Sequence, residues 1–248
     1  MPNSAPAAPR PAPGAGVVAS TPTAGAPAVA AGVVGVLIVL AFGSVATHTD
    51  WSQHELPVVI WMSAHHVAAA GAVATTLAAV LSPGTGLVWL ALAGWLAARR
   101  RGVRYGVLIF LVGGANLAGA VAIKLLVGRP RPDVSALANP PAVDHSYSYP
   151  SGHTVVATVV VLCLIIALRP PRRRWGIPVG VAVVLLTAAS RVYLGLHYPT
   201  DVLAAVLYAL SAAPVLVGLL AAPPVRAVLT RLNLLPPPTV VDTEGGLP

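Results

Sequence analysis

This sequence contains few charged residues. Only 9% of its 248 residues are charged, whereas a soluble globular domain carries about 25%. Hydrophobic residues make up 56% of the chain, and a surface so poor in charge would not stay in water. The composition therefore excludes an ordinary soluble domain. It predicts an all-α integral membrane protein, because long apolar runs cross membranes as helices.

Cysteine and acidic residues are also scarce. The single cysteine, Cys163, lies in an apolar run and cannot form an internal disulfide, so we interpret it as a small core residue. Asp and Glu together number seven, and we find no cluster of carboxylates suited to hold a metal ion. We therefore expect neither a metal nor another cofactor.

Four histidines, His48, His54, His65 and His66, lie in the polar stretch 47–66. A four-histidine zinc site is conceivable, but the spacing fits no common zinc pattern. The same stretch carries tryptophans, which favour the membrane–water interface. We therefore expect short helices at the membrane surface and histidines with ordinary interfacial roles.

Apolar runs long enough to cross a membrane, or nearly so, divide most of the chain. We predict six spans, the second drawn from two shorter runs: 28–46, 67–81 with 85–98, 105–127, 153–168, 175–194 and 201–221. A cleaved signal peptide is the alternative for the first run, but the long proline-rich segment before it favours an uncleaved span. We expect disordered tails at 1–27 and 233–248 around one membrane domain, 28–232.

Basic residues predict the orientation of these spans. Arginines cluster after the second, fourth and sixth spans, and Arg10 precedes the first. Because Lys and Arg are retained on the cytoplasmic side, both termini are predicted to be cytoplasmic, with the chain in the inner (plasma) membrane. Topology thus explains the basic clusters behind the formal net charge of +8, and no nucleic-acid partner is expected.

Four basic residues break this pattern: Lys124, Arg129, Arg131 and Arg191 lie at the outer ends of the third and fifth spans. Long side chains that snorkel toward the interface are one explanation. Their concentration beside a Ser-Gly-His helix start favours another. We expect an anion-binding site on the extracytoplasmic side.

The first candidate motif runs from Lys124 to Pro132. Gly128 and the two prolines after it end the helix that carries Lys124. Arg131 therefore lies on a stiff exit segment that can fold back over the site. Arginine offers a planar fork suited to phosphate, and lysine offers a point charge.

The second motif is Pro150-Ser151-Gly152-His153, directly before an apolar run. Ser151 is a good helix N-cap, and Gly152 allows a tight turn. The first turn of the following helix offers free backbone N–H groups and a positive dipole end, which together bind anions. His153 can donate a proton to a group bound there. A plain capped helix with an incidental histidine is the alternative.

The third motif runs from Ser190-Arg191 to His197 and Asp201. Pro199 suits the first turn of a new helix, which places Asp201 in that turn, about one helical turn after His197. A carboxylate there can accept the Nδ1 proton of His197. Nε2 is then unprotonated and free to act as a nucleophile.

Together these segments resemble the three signature motifs of the type 2 phosphatidic acid phosphatase (PAP2) superfamily, in the family's order. Lys124, Arg131 and Pro132 match K-x6-R-P; Pro150, Ser151, Gly152 and His153 match P-S-G-H; Ser190, Arg191, His197 and Asp201 match S-R-x5-H-x3-D. The resemblance implies a bundle of six transmembrane helices in the bacterial membrane lipid phosphatase branch. It covers the chain from Lys124 to Asp201, and the N-terminal half matches only in its membrane pattern.

The resemblance also implies a role for each motif residue. His197 would attack phosphorus and form a phosphohistidine, and Asp201 would orient His197. His153 would protonate the leaving group and then activate water. The phosphoryl oxygens would be held by Lys124, Arg131, Ser151, Gly152 and Arg191.

The motifs leave several functions open. A lipid phosphatase at the outer leaflet is the first hypothesis, and a lipid phosphotransferase using the same phosphohistidine is the second. A vanadate-dependent haloperoxidase shares this anion site, but six spans argue against it. A non-catalytic lipid-binding protein would not need His153, His197 and Asp201. The lipid stays open among phosphatidic acid, phosphatidylglycerophosphate and polyprenyl pyrophosphate of the undecaprenyl or decaprenyl type, and the oligomeric state stays open too.

The predicted orientation can be tested by labelling single introduced cysteines in intact cells. A membrane-impermeant thiol reagent should reach positions in 133–148, because that loop faces outward. It should miss positions in 99–104, which the arginine cluster keeps inside. Labelling of the second set alone would reverse the orientation and move the site to the cytoplasm.

Overall fold

Helices form the regular structure of residues 24–142 and 144–235, the part of the chain that the computed structural model describes. They are α1 (Ala26–His48), α2 (Trp51–Ala64), α3 (Ala68–Val80), α4 (Pro83–Arg101), α5 (Val103–Val127), α6 (Gly152–Ala167), α7 (Pro170–Tyr193), α8 (Pro199–Ala221) and α9 (Pro223–Arg231), with a 3₁₀ turn at Val134–Ala136. The all-helical prediction is confirmed for these residues. The predicted tails, 1–27 and 233–248, lie largely outside them.

Four of these helices, α1, α5, α7 and α8, are long and apolar enough to cross a membrane. α2 and α3 qualify only as a pair bent by 118°, so the described residues offer up to five spans by length and composition. α6 is apolar but shorter, at 16 residues. The chain is a multi-helix membrane protein, and the predicted count of six spans is not confirmed.

The second predicted span takes a different form in the structure. The runs 67–81 and 85–98 belong to separate helices, α3 and α4. The break falls at Ser82, whose Oγ accepts a hydrogen bond from the Thr85 N–H at 3.2 Å and so caps α4. A good N-cap between two apolar runs starts a new helix here instead of continuing the old one.

α6 lies at the centre of the bundle, in contact with α4, α5, α7 and α8. Val155, Val156, Val159 and Cys163 of this helix are buried in the main apolar core. α1 packs along α8 and closes the bundle. Because α6 begins at Gly152, the second motif lies at the middle of one end of the bundle.

α2 departs from the surface helix that we expected within 47–66. One face of α2, formed by Glu55, Val59 and Ser63, is buried in the protein, while Trp61 on another face is 60% exposed. The short helix expected in this stretch is present, but it is exposed on its outer face only. The inner face brings a carboxylate into the bundle.

The chain keeps packing beyond the predicted domain end at 232. Leu235 is buried beside Leu108 of α5 and Leu229 of α9. Arg104 at the start of α5 donates a hydrogen bond to the Asn233 side chain at 2.5 Å. α9 and the residues after it thus cover the first turns of α5.

α4 and α5 approach each other closely at Gly94 and Gly106. A Cβ added at Gly94 would lie 2.9 Å from the carbonyl oxygen of Gly106, and one at Gly106 would meet the carbonyl oxygen of Gly94 at still shorter range. Small residues of this kind let membrane helices pack backbone to backbone. The α4–α5 contact therefore depends on the absence of side chains at this crossing.

We expect Gly106→Ala to destabilise the protein by about 1–3 kcal/mol, because the added Cβ would overlap backbone atoms of α4. Gly114→Ala is a matched control on the same helix, since its added Cβ meets nothing within 4 Å. The control should leave stability unchanged or raise it slightly. Thermal unfolding in detergent measures both variants. Equal melting temperatures for Gly106→Ala and wild type would show that the crossing can widen at no cost.

Candidate active site

The third motif folds into a tight turn between α7 and α8. Gly195 makes this turn with a φ of 72°, a left-handed conformation that glycine adopts at little cost. His197 follows it, and α8 begins at Pro199. Nδ1 of His197 lies 3.4 Å from Oδ2 of Asp201, and the same oxygen accepts the Tyr198 N–H at 2.9 Å. The turn and the first helical turn thus place the carboxylate behind the imidazole.

The first motif brings Arg131 to the other side of His197. α5 ends at Val127, and Gly128 caps it in the left-handed conformation with a φ of 65°. The chain then folds back, and Nη1 of Arg131 lies 3.1 Å from Nε2 of His197 and donates to the Leu196 carbonyl oxygen at 2.6 Å. The guanidinium has no acceptor, so Nε2 is the acceptor in this contact.

Burial favours the neutral form of His197. The side chain is 2% exposed, and desolvation lowers the pKa of His197 to about 4, with the charges of Arg131 and Lys124 acting in the same direction against Asp201. At neutral pH the imidazole is therefore uncharged. Its Nδ1 proton faces Asp201, and its Nε2 lone pair faces Arg131.

The second motif adjoins this pair through the backbone. The Ser151 N–H donates to the carbonyl oxygen of Asp201 at 3.1 Å, which ties the start of α6 to the start of α8. Ser151 occupies the N-cap position, but its side chain makes no capping hydrogen bond. Instead its Oγ accepts from the Thr154 hydroxyl at 3.1 Å. His153 lies in the first turn of α6, half-buried.

Lys124 and Arg191 lie farther from the imidazole. Nζ of Lys124, in the last turn of α5, donates to the Tyr147 carbonyl oxygen at 2.6 Å. Arg191, in the last turn of α7, is 1% exposed, and its Nη2 reaches the Ala74 carbonyl oxygen at 3.5 Å. Among the described residues, neither side chain hydrogen-bonds to His197. Both are cations at helix C-termini beside the site.

Arg131 is held by the loop between α5 and α6. Its Nε donates to the Ser146 carbonyl oxygen at 3.0 Å, and its Nη2 pairs with Asp144 at 2.6 Å. The Asp144 side chain is 45% exposed. Tyr149, which follows in the same loop, instead points into the core, where its hydroxyl donates to the Val39 carbonyl oxygen at 2.6 Å. The loop thus contributes one exposed carboxylate to the site.

Two charged residues that the motifs do not include also lie at the site. Arg129 is fully buried and pairs with Oδ1 of Asp201 at 2.7 Å and with Glu55 at 2.8 Å. In the sequence Arg129 is one of the outer basic residues, and neither it nor Glu55 belongs to a motif position that predicts a role. One signal was present, because Glu55 is the sole acidic residue between Asp50 and Asp133, and isolated carboxylates in membrane domains are usually functional.

The four histidines of the polar stretch do not face one another, and each makes its own local contact. Nδ1 of His48, His54 and His65 each lies near a carbonyl oxygen of its own segment, at 2.9, 3.1 and 2.8 Å. His66 stacks on Tyr193. Within the described residues, no group of three His, Cys, Asp or Glu side chains could hold a metal ion. The zinc site considered from the sequence is not formed there.

An apolar groove opens beside the site. Its volume is about 460 Å³, and it is lined by α4, α5 and α6. Leu87, Val121 and Val155 form part of its wall, and Lys124 and Gly152 lie at its polar end. A long apolar chain could therefore lie in this groove while its polar end reaches the cations.

Residues 101–222 match the sequence model of the PAP2 superfamily. A decaprenylphosphoryl-5-phosphoribose phosphatase of Mycobacterium tuberculosis is 38% identical over 121 residues, 47% of this chain and 62% of that protein. Phosphatidylglycerophosphatase B of Bacillus subtilis is 32% identical over 104 residues, 40% of this chain and 49% of that protein. This chain thus matches less than two thirds of the length of either relative.

The crystal structure of a transmembrane PAP2-type phosphatidylglycerolphosphate phosphatase from Bacillus subtilis resembles this chain with a TM-score of 0.61. The likeness covers 82% of this chain and 97% of that one, at 23% identity. It shows a shared fold that extends well beyond residues 101–222.

Proposed function

This chain belongs to the PAP2 superfamily, and on that premise we propose that it is a membrane phosphatase that hydrolyses a lipid phosphate or pyrophosphate through a phosphohistidine. The observation that carries the proposal is the pair of contacts made by His197. Nδ1 faces Asp201 at 3.4 Å and Nε2 faces Arg131 at 3.1 Å. A carboxylate behind a neutral imidazole and a cation before it suit nucleophilic attack on a phosphoryl group.

In the first step, Nε2 of His197 attacks phosphorus and the bond from phosphorus to the leaving oxygen breaks. The Nδ1 proton stays on the imidazole, and Asp201 stabilises the positive charge that develops there. His153, in the first turn of α6, donates a proton to the leaving oxygen. The lipid alcohol or lipid phosphate departs, and the phosphoryl group stays on His197.

In the second step, neutral His153 takes a proton from a water molecule as that water attacks phosphorus. The N–P bond breaks, its electron pair returns to Nε2, and inorganic phosphate leaves. One water is consumed in each cycle. In both steps the phosphoryl oxygens are held by Lys124, Arg131, Arg191, Ser151 and the Gly152 N–H.

Arg131 already binds an anion in the structure, which supports its role toward phosphate. That anion is the Asp144 carboxylate, which pairs with Nη2 at 2.6 Å and is 45% exposed. The Arg131 side chain is only 14% exposed, but the Asp144 carboxylate is close enough to solvent to be hydrated once it leaves Arg131. A substrate phosphoryl group can therefore replace Asp144 on Arg131 at low cost.

The apolar groove supports a lipid rather than a water-soluble ester. Its wall is apolar and its polar end carries Lys124 and Gly152. A chain that stays in an apolar environment keeps its burial, about 0.8 kcal/mol per CH₂, so the enzyme needs to bind only the headgroup. The names of both relatives also specify lipid-linked phosphates. We assign the substrate class as long-chain prenyl or diacyl phosphates and pyrophosphates.

The arginine-rich end of the bundle lies opposite the site, which supports action at the extracytoplasmic face. Arg100, at the end of α4, donates to the Ala167 carbonyl oxygen in the last turn of α6 at 2.6 Å. Gly152 and His153 lie at the other end of this 16-residue helix, which rises about 1.5 Å per residue. Since arginine clusters mark the cytoplasmic side, the site faces outward.

A substrate panel tests the proposed function. In detergent micelles, the purified protein should give a much higher kcat/KM for long-chain lipid phosphates and pyrophosphates than for para-nitrophenyl phosphate. His197→Ala should fall to background, because it removes the nucleophile. Phosphate release measures each reaction, and activity should survive EDTA. Equal rates on the soluble ester would replace the lipid assignment with a broad acid phosphatase.

Filling the groove tests where the lipid chain lies. Gly114 lines the groove, and a Cβ added there meets nothing within 4 Å, so the ring of Gly114→Phe can occupy the groove. We expect KM for a long-chain substrate to rise about tenfold or more, since a few CH₂ groups lose their contacts. The kcat/KM for a short-chain analogue should stay near wild type.

Leu185→Phe is the control for this variant, because Leu185 lies on α7, is 61% exposed and does not line the groove. It should leave both substrates unaffected. An unchanged long-chain KM in Gly114→Phe would place the lipid chain elsewhere.

A further inference from the structure

A buried cluster of charges holds the second oxygen of Asp201. Oδ2 faces His197 and the Tyr198 N–H, whereas Oδ1 accepts from Nη1 of Arg129 at 2.7 Å. Nη2 of Arg129 in turn donates to Oε2 of Glu55 at 2.8 Å. The Arg129 and Asp201 side chains are fully buried and that of Glu55 is 10% exposed. The nucleophile is therefore linked to α2 through two successive ion pairs.

We propose that Glu55, acting through Arg129, is a positioning residue for the Asp201–His197 pair. This inference rests on the proposed function, since it concerns the same reaction. Glu55 lies outside residues 101–222, the region of the family match, and touches no reacting atom. Its effect is to fix the orientation and the charge of the carboxylate that supports the nucleophile.

Arg129 is held by Ser52 and Tyr198 in addition to its two ion pairs. Its Nε and Nη2 donate to the Ser52 Oγ at 3.2 and 2.9 Å, and its guanidinium carbon lies 4.2 Å above the Tyr198 ring. A guanidinium fixed in this way holds one oxygen of Asp201 in a single position. The other oxygen then stays directed at Nδ1 of His197.

Without Glu55, Arg129 would form an ion pair with Asp201 alone. An unbalanced guanidinium at 2.7 Å would neutralise much of the Asp201 charge. Asp201 could then stabilise less of the positive charge that develops on His197 during attack. Glu55 balances Arg129, so the three groups together carry one negative charge. The nearby cations Arg131 and Lys124 lie on the side of His197 where the phosphoryl group would bind. Their charge therefore acts on the substrate.

Glu55 also fixes the start of α8 itself. Its Oε1 accepts the backbone N–H of Thr200 at 2.8 Å, and its Oε2 accepts the Thr200 hydroxyl at 2.6 Å. A carboxylate at a helix N-terminus satisfies a free N–H group and interacts favourably with the helix dipole. One side chain of α2 thus sets both the position of the first turn of α8 and the electrostatics of Asp201 within it.

Glu55→Gln tests the inference, because it removes the charge and keeps the size. With a long-chain lipid phosphate, kcat should fall about 10- to 100-fold, by analogy with outer-shell carboxylates that orient metal-ligating histidines. KM should change little, since Glu55 does not contact the substrate. Glu55→Asp, which retains the charge, should recover part of the lost kcat. Asp133→Asn, which removes an exposed carboxylate bonded to Ser135, should keep the wild-type kcat.

Coupling separates positioning from a loss of folding. In an Asp201→Asn background, adding Glu55→Gln should lower kcat little further, because residues that act through one another are not additive. Full additivity would overturn the inference, as would a wild-type kcat in Glu55→Gln. So would a kcat that is restored once the folded fraction, from thermal unfolding in detergent, is taken into account. If wild type itself releases no phosphate from any lipid, the proposed function fails first and this inference with it.

Discussion

The cost of burying charge is the constraint on which this site depends. Arg129 and Asp201 are fully buried, and His197 is 2% exposed. An ion removed from water costs several kcal/mol unless partners compensate it. Here the compensation comes from three elements: Glu55 on α2, Arg129 after α5, and Asp201 on α8. The geometry of the site and the packing of the helices therefore depend on each other, since none of these buried charges is stable unless the others are in place.

Helix termini supply the rest of the electrostatics. α5 and α7 end at the site, and α6 and α8 begin there. Lys124 and Arg191 lie in the last turns of α5 and α7, where the dipole favours cations, and Asp201 lies in the first turn of α8, where it favours anions. Each of these charges is thus stabilised by its own helix end before any substrate arrives. The start of α6 keeps its positive end available to a phosphoryl group.

Local turn chemistry made part of this site predictable. A proline that starts α8 places Asp201 one turn after His197, and a glycine that ends α5 lets Arg131 fold back, so both positions follow from spacing. The Ser151 side chain accepts a hydrogen bond from the Thr154 hydroxyl and does not cap α6, because a hydroxyl three residues on competes with the backbone N–H groups of the first turn. Glu55 and Arg129 are 74 residues apart, and no helical or strand period connects such positions. The buried face of α2 could not be predicted from the sequence either, because only tertiary packing decides which face of that helix is buried.

The role of α2 indicates that the site depends on helices that precede residues 101–222. Residues 101–222 hold every group that would touch the phosphoryl oxygens in the proposed mechanism. Within that region Arg129 pairs only with Asp201, and its second carboxylate partner, Glu55, comes from α2. The α1–α8 contact likewise fixes the helix that carries Asp201 from outside the region. The balancing group needs one carboxylate that reaches both Arg129 and Thr200, and this requirement fixes a single position of α2. The fold must therefore supply its N-terminal helices even though their sequences carry no motif, which agrees with a structural likeness that spans 82% of the chain.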